Sequence, residues 1–353
     1  MATVRLPIRG RGAADNPPNR FETLAHIPDP EAIDPDGPGP DTQFLRDRSS
    51  SLITYNDSPD VGFTASINPY RGCEHGCIYC YARPTHEYLG FSAGLDFETK
   101  ILVKEDAPEL LRRELSSPRW TPQVLAISGV TDPYQPVERR LELTRRCLEV
   151  LAEFRNPVAI ITKNHLVTRD VDLLGEMARH EAAAVYLSVT TLDSRLARTM
   201  EPRTSQPARR LAALEALSRA GVPTGVLVAP VIPGLTDHEM PKIVAAAARA
   251  GARFAGYTLL RLPHAVAPLF EAWLAEHRPA RKDKVLNRIR ALRGGRLNDP
   301  RFGSRMKGEG IFAEQIKDLF ALACRKAGIT SRGPNLSTAA FRRPAPAQPS
   351  LFE

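Results

Sequence analysis

The chain has 353 residues, 42% hydrophobic and 25% charged, with 31 prolines, 23 glycines and five cysteines. These proportions exclude a collagen-like, coiled-coil or wholly disordered chain. The net charge of +8 is localised: from Arg278 to Lys307, eleven Lys/Arg stand against Asp283 and Asp299, a local +9, so the other residues sum to −1. Such a segment points to a polyanionic partner, with a solvated helix face as the alternative.

Residues 1–50 are rich in Pro, Gly, Asp and Arg, and no apolar period is sustained. They are expected to be mostly disordered, ordered only where they lie on the domain. Met1 to Gly12 carries arginines and no apolar stretch, so no secretory signal is read and the expected compartment is the cytoplasm. The uncharged run from Gly221 to Leu235 contains Pro223, Pro230 and Pro233 and is too short to span a bilayer, so no membrane partner is expected.

Between about 58 and 260, short β-branched runs alternate with amphipathic patterns. Strands are expected at 63–68, 124–128, 158–162, 185–190, 225–231 and 254–260. Helices are expected at 107–116, 141–154, 170–180, 207–220 and 239–250, with Leu211, Leu214 and Leu217 forming a buried stripe. Thr236 and Glu239 have the spacing of a capping box, and Gly221 and Gly251 stand just past helix ends. Strands that alternate with helices make right-handed βαβ units and hence a parallel α/β sheet. Periodicity does not decide whether that sheet stays open or curls into a partial barrel. Residues 261–330 read as a basic helical extension, with helices at 266–277, 284–292 and 311–327. Residues 331–353 read as a flexible tail.

The first expected strand leads into Asn68-Pro69-Tyr70-Arg71-Gly72-Cys73-Glu74-His75-Gly76-Cys77-Ile78-Tyr79-Cys80-Tyr81. Three thiolates at spacing C-x3-C-x2-C on a glycine-broken loop can serve one metal centre and leave a coordination position open, as a reactive centre needs. Zinc with His75 as the fourth ligand is the alternative. Cys147 and Cys324 sit on helical patterns and read as buried core thiols.

With an aromatic before the last cysteine, Cys73, Cys77 and Cys80 resemble the cluster motif of radical S-adenosylmethionine (SAM) enzymes. The segments 128–136, 161–164 and 188–193 resemble the spore photoproduct lyase-like branch of that superfamily. The resemblance implies a partial (β/α)6 barrel of the TIM type, with a C-terminal helical extension and flexible tails. It implies a 4Fe–4S cluster on the three cysteines and SAM chelated to the iron that lacks one. Reductive cleavage of SAM would then give methionine and a 5′-deoxyadenosyl radical that takes a hydrogen atom from substrate. An electron donor such as flavodoxin or ferredoxin is implied too.

By the same resemblance Tyr79 matches the position whose backbone meets the adenine; a packing aromatic is the alternative. Thr131, Lys163 and Ser188, at the ends of the second, third and fourth expected strands, match polar positions that hold the methionine and ribose parts. Lys163 suits the carboxylate by charge, or is a surface lysine that ends a strand. Arg203 is a second candidate for that carboxylate, or a solvated loop arginine. The run 229–234 would let bare backbone approach the adenine. The stretch 128–132 lacks the cysteine with which the spore lyase returns a hydrogen atom, which puts activity on spore photoproduct itself in doubt.

The expected function is therefore a radical SAM enzyme acting on nucleic acid, in repair or modification, with the segment from Arg278 to Lys307 as the contact. The alternatives are a protein or small-molecule substrate, and a non-catalytic metal-stabilised nucleic-acid-binding protein. At the C-terminus, Gln348, Leu351 and Phe352 resemble the pentapeptide by which bacterial repair proteins dock on the sliding clamp; a hydrophobic tail folded on the domain is the alternative.

Overall fold

The structure is a computed structural model that describes residues 8–22 and 40–344. Ten strands are described: β1 (Gln43–Arg46), β2 (Ile53–Tyr55), β3 (Ala65–Ile67), β4 (Tyr70–Arg71), β5 (Lys100–Val103), β6 (Leu125–Ile127), β7 (Val158–Thr162), β8 (Ala183–Ser188), β9 (Thr224–Val231) and β10 (Phe254–Leu259). The main sheet has the order β10-β9-β8-β7-β6-β3-β2. From β3 to β10 each strand runs parallel to its neighbour, and β2 pairs antiparallel with β3. The six parallel strands are those expected from the β-branched runs. Their spatial order is their chain order, because each helical crossover returns the chain to the next strand on the same side. β1, β5 and β4 form a second, small sheet beside the first crossover.

The helices are α1 (Leu95–Thr99), α2 (Ala107–Ser116), α3 (Glu138–Leu141), α4 (Leu143–Phe154), α5 (Val171–Ala178), α6 (Ser194–Met200), α7 (Pro207–Arg219), α8 (Met240–Arg249), α9 (Val266–His277), α10 (Lys282–Ala291) and α11 (Ile311–Ala327). Their apolar stripes lie on the sheet: Leu111, Leu148, Leu151, Leu214, Leu217, Ile243 and Val244 are buried against Val158, Ile160, Val185 and Val226. Removing one such leucine to alanine costs about 2–5 kcal/mol. Cys147 and Cys324 are buried in the same core, as expected. No helix among the described residues is long and apolar enough to cross a membrane.

Two local readings are corrected. The helix expected at 141–154 breaks at Glu142, which adopts φ 50° and separates α3 from α4. Thr236 and Glu239 form no capping box. The Thr236 hydroxyl accepts from Ile232 N (2.9 Å), and the Glu239 carboxylate reaches Thr191 Oγ1 (2.6 Å) and Leu192 N (2.7 Å) on the loop after β8. Residues 8–22, part of the stretch expected to be ordered only where it lies on the domain, lie as a strap on the loop after β3. Gly12 N and Ala13 N donate to the Glu98 carboxylate (2.9 and 2.8 Å), and Asn16 exchanges two hydrogen bonds with Asp96. A Cβ on Gly12 would collide with the Gly76 carbonyl, so the strap touches the cysteine loop backbone to backbone. At the other end Phe341 packs on Phe154, while Gln348, Leu351 and Phe352 lie outside the described residues.

Candidate active site

The loop from Asn68 to Ala82 leaves the C-terminal end of β3 and carries all three clustered cysteines. Gly76, at φ 64°, takes a left-handed turn, and a side chain there would strike the Glu98 carboxylate. Backbone bonds hold the loop from two sides: Cys73 N donates to Phe97 O (2.8 Å) and Ile78 N to Met200 O (3.0 Å). Cys73 and Cys77 are buried, Cys80 is half-buried, and none forms a disulfide. Burial, and then the neighbouring Cys73, push the Cys80 thiol up to about 11. His75 is buried with both ring nitrogens engaged. Its Nδ1 lies 3.4 Å from Asp132 Oδ2 and its Nε2 lies 3.2 Å from the Asn164 side-chain amide.

Beside the loop, at the ends of β7, β8 and β9, one buried carboxylate gathers a polar network. Glu201 accepts from the Tyr79 hydroxyl, from Thr190 Oγ1 (2.7 Å) and from the fully buried Arg210. Lys163 Nζ donates to Ser188 Oγ (2.5 Å) and Ala229 O (2.9 Å), lies 3.7 Å from Glu201 Oε1, and sits 5.9 Å from the centre of the Tyr79 ring. Burial works to raise the Glu201 pKa, but Arg210 and then Lys163 overcome it and hold the carboxyl well below its ordinary value. The site is thus charged, desolvated and fixed before any ligand arrives.

Of the five polar or aromatic residues singled out in the sequence, Tyr79, Lys163 and Ser188 come together in this network. The other two brace the cysteine loop. Thr131 Oγ1 donates to Gly72 O (2.7 Å), and Arg203 binds Glu74 Oε1 (3.0 Å) and, through its backbone N, His75 O (3.3 Å). Sequence reasoning missed Glu201 and Arg210, although Glu201 stands two residues before Arg203. It also missed Asp132, whose carboxylate takes Thr162 Oγ1 (2.7 Å) and Lys163 N (2.8 Å) and so sets the direction of the strand end that carries Lys163.

The sequence profile of the radical SAM superfamily matches residues 67–247, more than half of the chain and the part that holds the cysteine loop and this network. The chain belongs to the radical SAM superfamily. An uncharacterized protein of Mycobacterium tuberculosis is 36% identical to this radical SAM protein over 306 residues, 86% of each chain. A radical SAM Nalpha-GlyT isomerase of Pseudomonas phage M6 is 28% identical over 173 residues, 48% of this chain and 34% of that one. In structure it is similar to a spore photoproduct lyase variant with bound AdoMet and dinucleoside spore photoproduct, with a TM-score of 0.57 and 16% identity, covering 82% of both chains. That likeness is one of fold: the open parallel sheet is the partial (β/α)6 barrel of these enzymes. The protein is a radical SAM enzyme.

The basic segment is not a single face. Arg293 is 3% exposed and donates to Leu260 O (2.6 Å) and Arg305 O (3.1 Å). Arg305 is tied to Asp60, Arg301 to Asp299 (2.9 Å) and Glu309 (3.0 Å), and Arg288 to Asp237 (2.9 Å).

Proposed function

We propose that this radical SAM enzyme holds a 4Fe–4S cluster on Cys73, Cys77 and Cys80, binds SAM beside it, and acts on nucleic acid in repair or modification. The donor set fits the cluster. Three unpaired thiols lie on one loop, and each would bind a different iron, so they need not close round one point; no three Cys, His, Asp or Glu side chains among the described residues gather as a cage for a single ion. His75 would have to give up its contact with Asp132 or with Asn164 to serve as a fourth ligand for zinc. When bound, cluster and SAM supply one-electron cleavage of the sulfonium bond and a hydrogen-abstracting radical.

The chain's own residues position that chemistry. Lys163 suits the carboxylate of SAM, because its ammonium lies at a strand end beside Ser188 and a carbonyl. Tyr79, pinned by Glu201 and Thr190, forms a fixed wall against the same space. Thr131 and Arg203 support the loop and do not face SAM in this reading. The strap lies backbone to backbone on the loop, and in this reading it helps keep water from a reactive radical.

The observation that carries the nucleic-acid reading is Arg261, two residues past β10, whose guanidinium has no salt-bridged carboxylate among the described residues and stands 5.3 Å from the ring of Tyr81 beside the cysteine loop. The dinucleoside spore photoproduct bound to the fold relative favours it too. Within this proposal an electron donor such as flavodoxin or ferredoxin reduces the cluster, and Gln348, Leu351 and Phe352 dock on a sliding clamp. The test is anaerobic reconstitution followed by a search for deuterium transfer into 5′-deoxyadenosine from labelled DNA, RNA or peptide pools. Transfer from DNA or RNA supports the reading; transfer from peptides alone refutes it.

A further inference from the structure

We propose that Arg261, Tyr81 and Asn68 form a nucleotide subsite at the open side of the barrel, with Arg261 taking a phosphate. This subsite rests on the nucleic-acid reading above and assigns it to particular atoms.

The sheet does not close: among its six parallel strands, β3 and β10 are the first and the last. Asn68 follows β3 and Arg261 lies two residues past β10, so they stand at the strand ends that flank the opening. The segment after β10 is tied to the segment before β3 by Arg305, which donates to Asp60 Oδ2 and Ser58 Oγ (both 2.5 Å), and by Gly303 N, which donates to Asp60 Oδ1 (2.7 Å). The mouth is thereby given a fixed width.

Three groups line it in sequence of contact. Tyr81, directly after Cys80, is 49% exposed although the rest of the loop is largely buried. Its hydroxyl donates to Gly129 O (2.5 Å), which fixes the ring plane, and the Arg261 guanidinium lies 5.3 Å from the ring centre. On the other side of Gly129 lies Asn68, whose amide nitrogen is the nearest atom, at 4.0 Å, to where a Gly129 side chain would begin. Ser128 and Gly129 hold φ of 139° and 128°, a backbone that serine rarely adopts.

Among the described residues, these polar atoms have no partners. Arg261 Nε is buried with no acceptor, and Nη1 reaches only the weak acceptor Met306 Sδ at 3.5 Å. The carboxylate that acts on Arg261, Asp60, is already committed to Arg305. Asn68 is 8% exposed, and its Oδ1 is buried with no donor. A buried polar group without a partner is costly, and a ligand that completes it recovers that cost. The missing partners are an anion beside Arg261 and a hydrogen-bond donor beside Asn68, with a half-exposed aromatic ring between. A nucleotide carries all three complements: phosphate, base edge and planar ring.

The test is fluorescence anisotropy of a fluorescein-labelled single-stranded DNA dodecamer, and of its RNA counterpart, on the anaerobically reconstituted holoenzyme. Arg261→Gln is expected to weaken binding about tenfold and to lower the salt slope by about one ion. Arg261→Met, which keeps the packing over Tyr81, gives the same loss if charge is the cause and guards against a misfolded first variant. Asn68→Asp, which sets a carboxylate beside the ligand, weakens binding further. Binding by both Arg261 variants within twofold of the unaltered enzyme overturns the subsite and leaves the nucleic-acid reading standing. An unaltered holoenzyme that binds neither oligonucleotide overturns both.

Discussion

Glu201 shows how much one buried carboxylate settles. It orients Tyr79 and Thr190, neutralises Arg210, and stands 3.7 Å from the Lys163 ammonium. Glu201→Ala would leave Arg210 buried and unpaired, so a stability loss of about 3–5 kcal/mol is expected in urea denaturation. Lys163→Ala leaves that pair intact and removes a charged donor. It should weaken SAM binding by about 1–3 kcal/mol, read by equilibrium dialysis on the reconstituted protein; unchanged affinity would remove Lys163 from the site. His86 gives a pH signature. Burial holds its imidazole down at about 4, with one ring nitrogen on Lys100 O (2.9 Å). Above about 6.5 the histidine is neutral in both states and its contribution is complete. As pH falls from about 6.5 to 4, the unfolded chain takes up a proton that the folded chain refuses, and stability drops by on the order of 3 kcal/mol. Urea midpoints of the unaltered protein and His86→Gln, compared across that range, isolate the effect; parallel curves would refute it.

At the scale of elements, the strap of residues 8–22 is the part of the N-terminal stretch that lies on the domain. Its hydrogen bonds to Glu98, Asp96 and the backbone at Glu87 and Phe91 tie it to the structure that supports the cysteine loop. Gly12→Val would force the strap off the Gly76 carbonyl at a cost of about 1–3 kcal/mol. The expected outcome is faster bleaching of cluster absorbance in air and less iron retained per chain; air stability equal to that of the unaltered protein would show that the strap does not seal the loop. The longer helices were legible in the sequence, α2, α9 and α11 at their observed bounds, because each carries an apolar stripe at helical period. The four strands outside the parallel set, β1, β2, β4 and β5, were not. They are two to four residues long; β1, β4 and β5 form a small sheet whose partners are distant in the chain, and β2 is an antiparallel edge on β3.

Across the whole molecule, the clustered cysteines and the basic segment make separable predictions. Changing any of Cys73, Cys77 or Cys80 to Ala should abolish the cluster and SAM cleavage, with iron analysis after anaerobic reconstitution as the check; stoichiometric zinc without iron would sink the cluster reading. Reversing Arg290 and Arg296 to Glu, neither of which is tied to a carboxylate among the described residues, should weaken nucleic-acid binding and flatten its salt dependence while uncoupled SAM cleavage continues. Reversing Arg293 or Arg305 should instead destabilise the fold, since both are internal ties. An unchanged salt slope in the Arg290 and Arg296 variant would make that face merely solvated.

By itself the sequence determined the six βα units and the position of the cysteine loop after the first of them. Both are local properties: apolar period is written within ten or fifteen residues, and the C-x3-C-x2-C spacing is covalent. Tertiary structure alone decided which charges are buried. Lys163 was legible because it ends a strand, whereas Glu201 and Arg210 lie on a loop and a helix face where a carboxylate or guanidinium is ordinary. The same holds for Arg293, Arg305 and Arg261, which look alike in the sequence, yet one is a buried tie, one a latch to Asp60 and one a cation whose Nε has no acceptor among the described residues. Local propensity is the same for an arginine in any of these roles; only the distant residues that fold against it set its solvation and its partner.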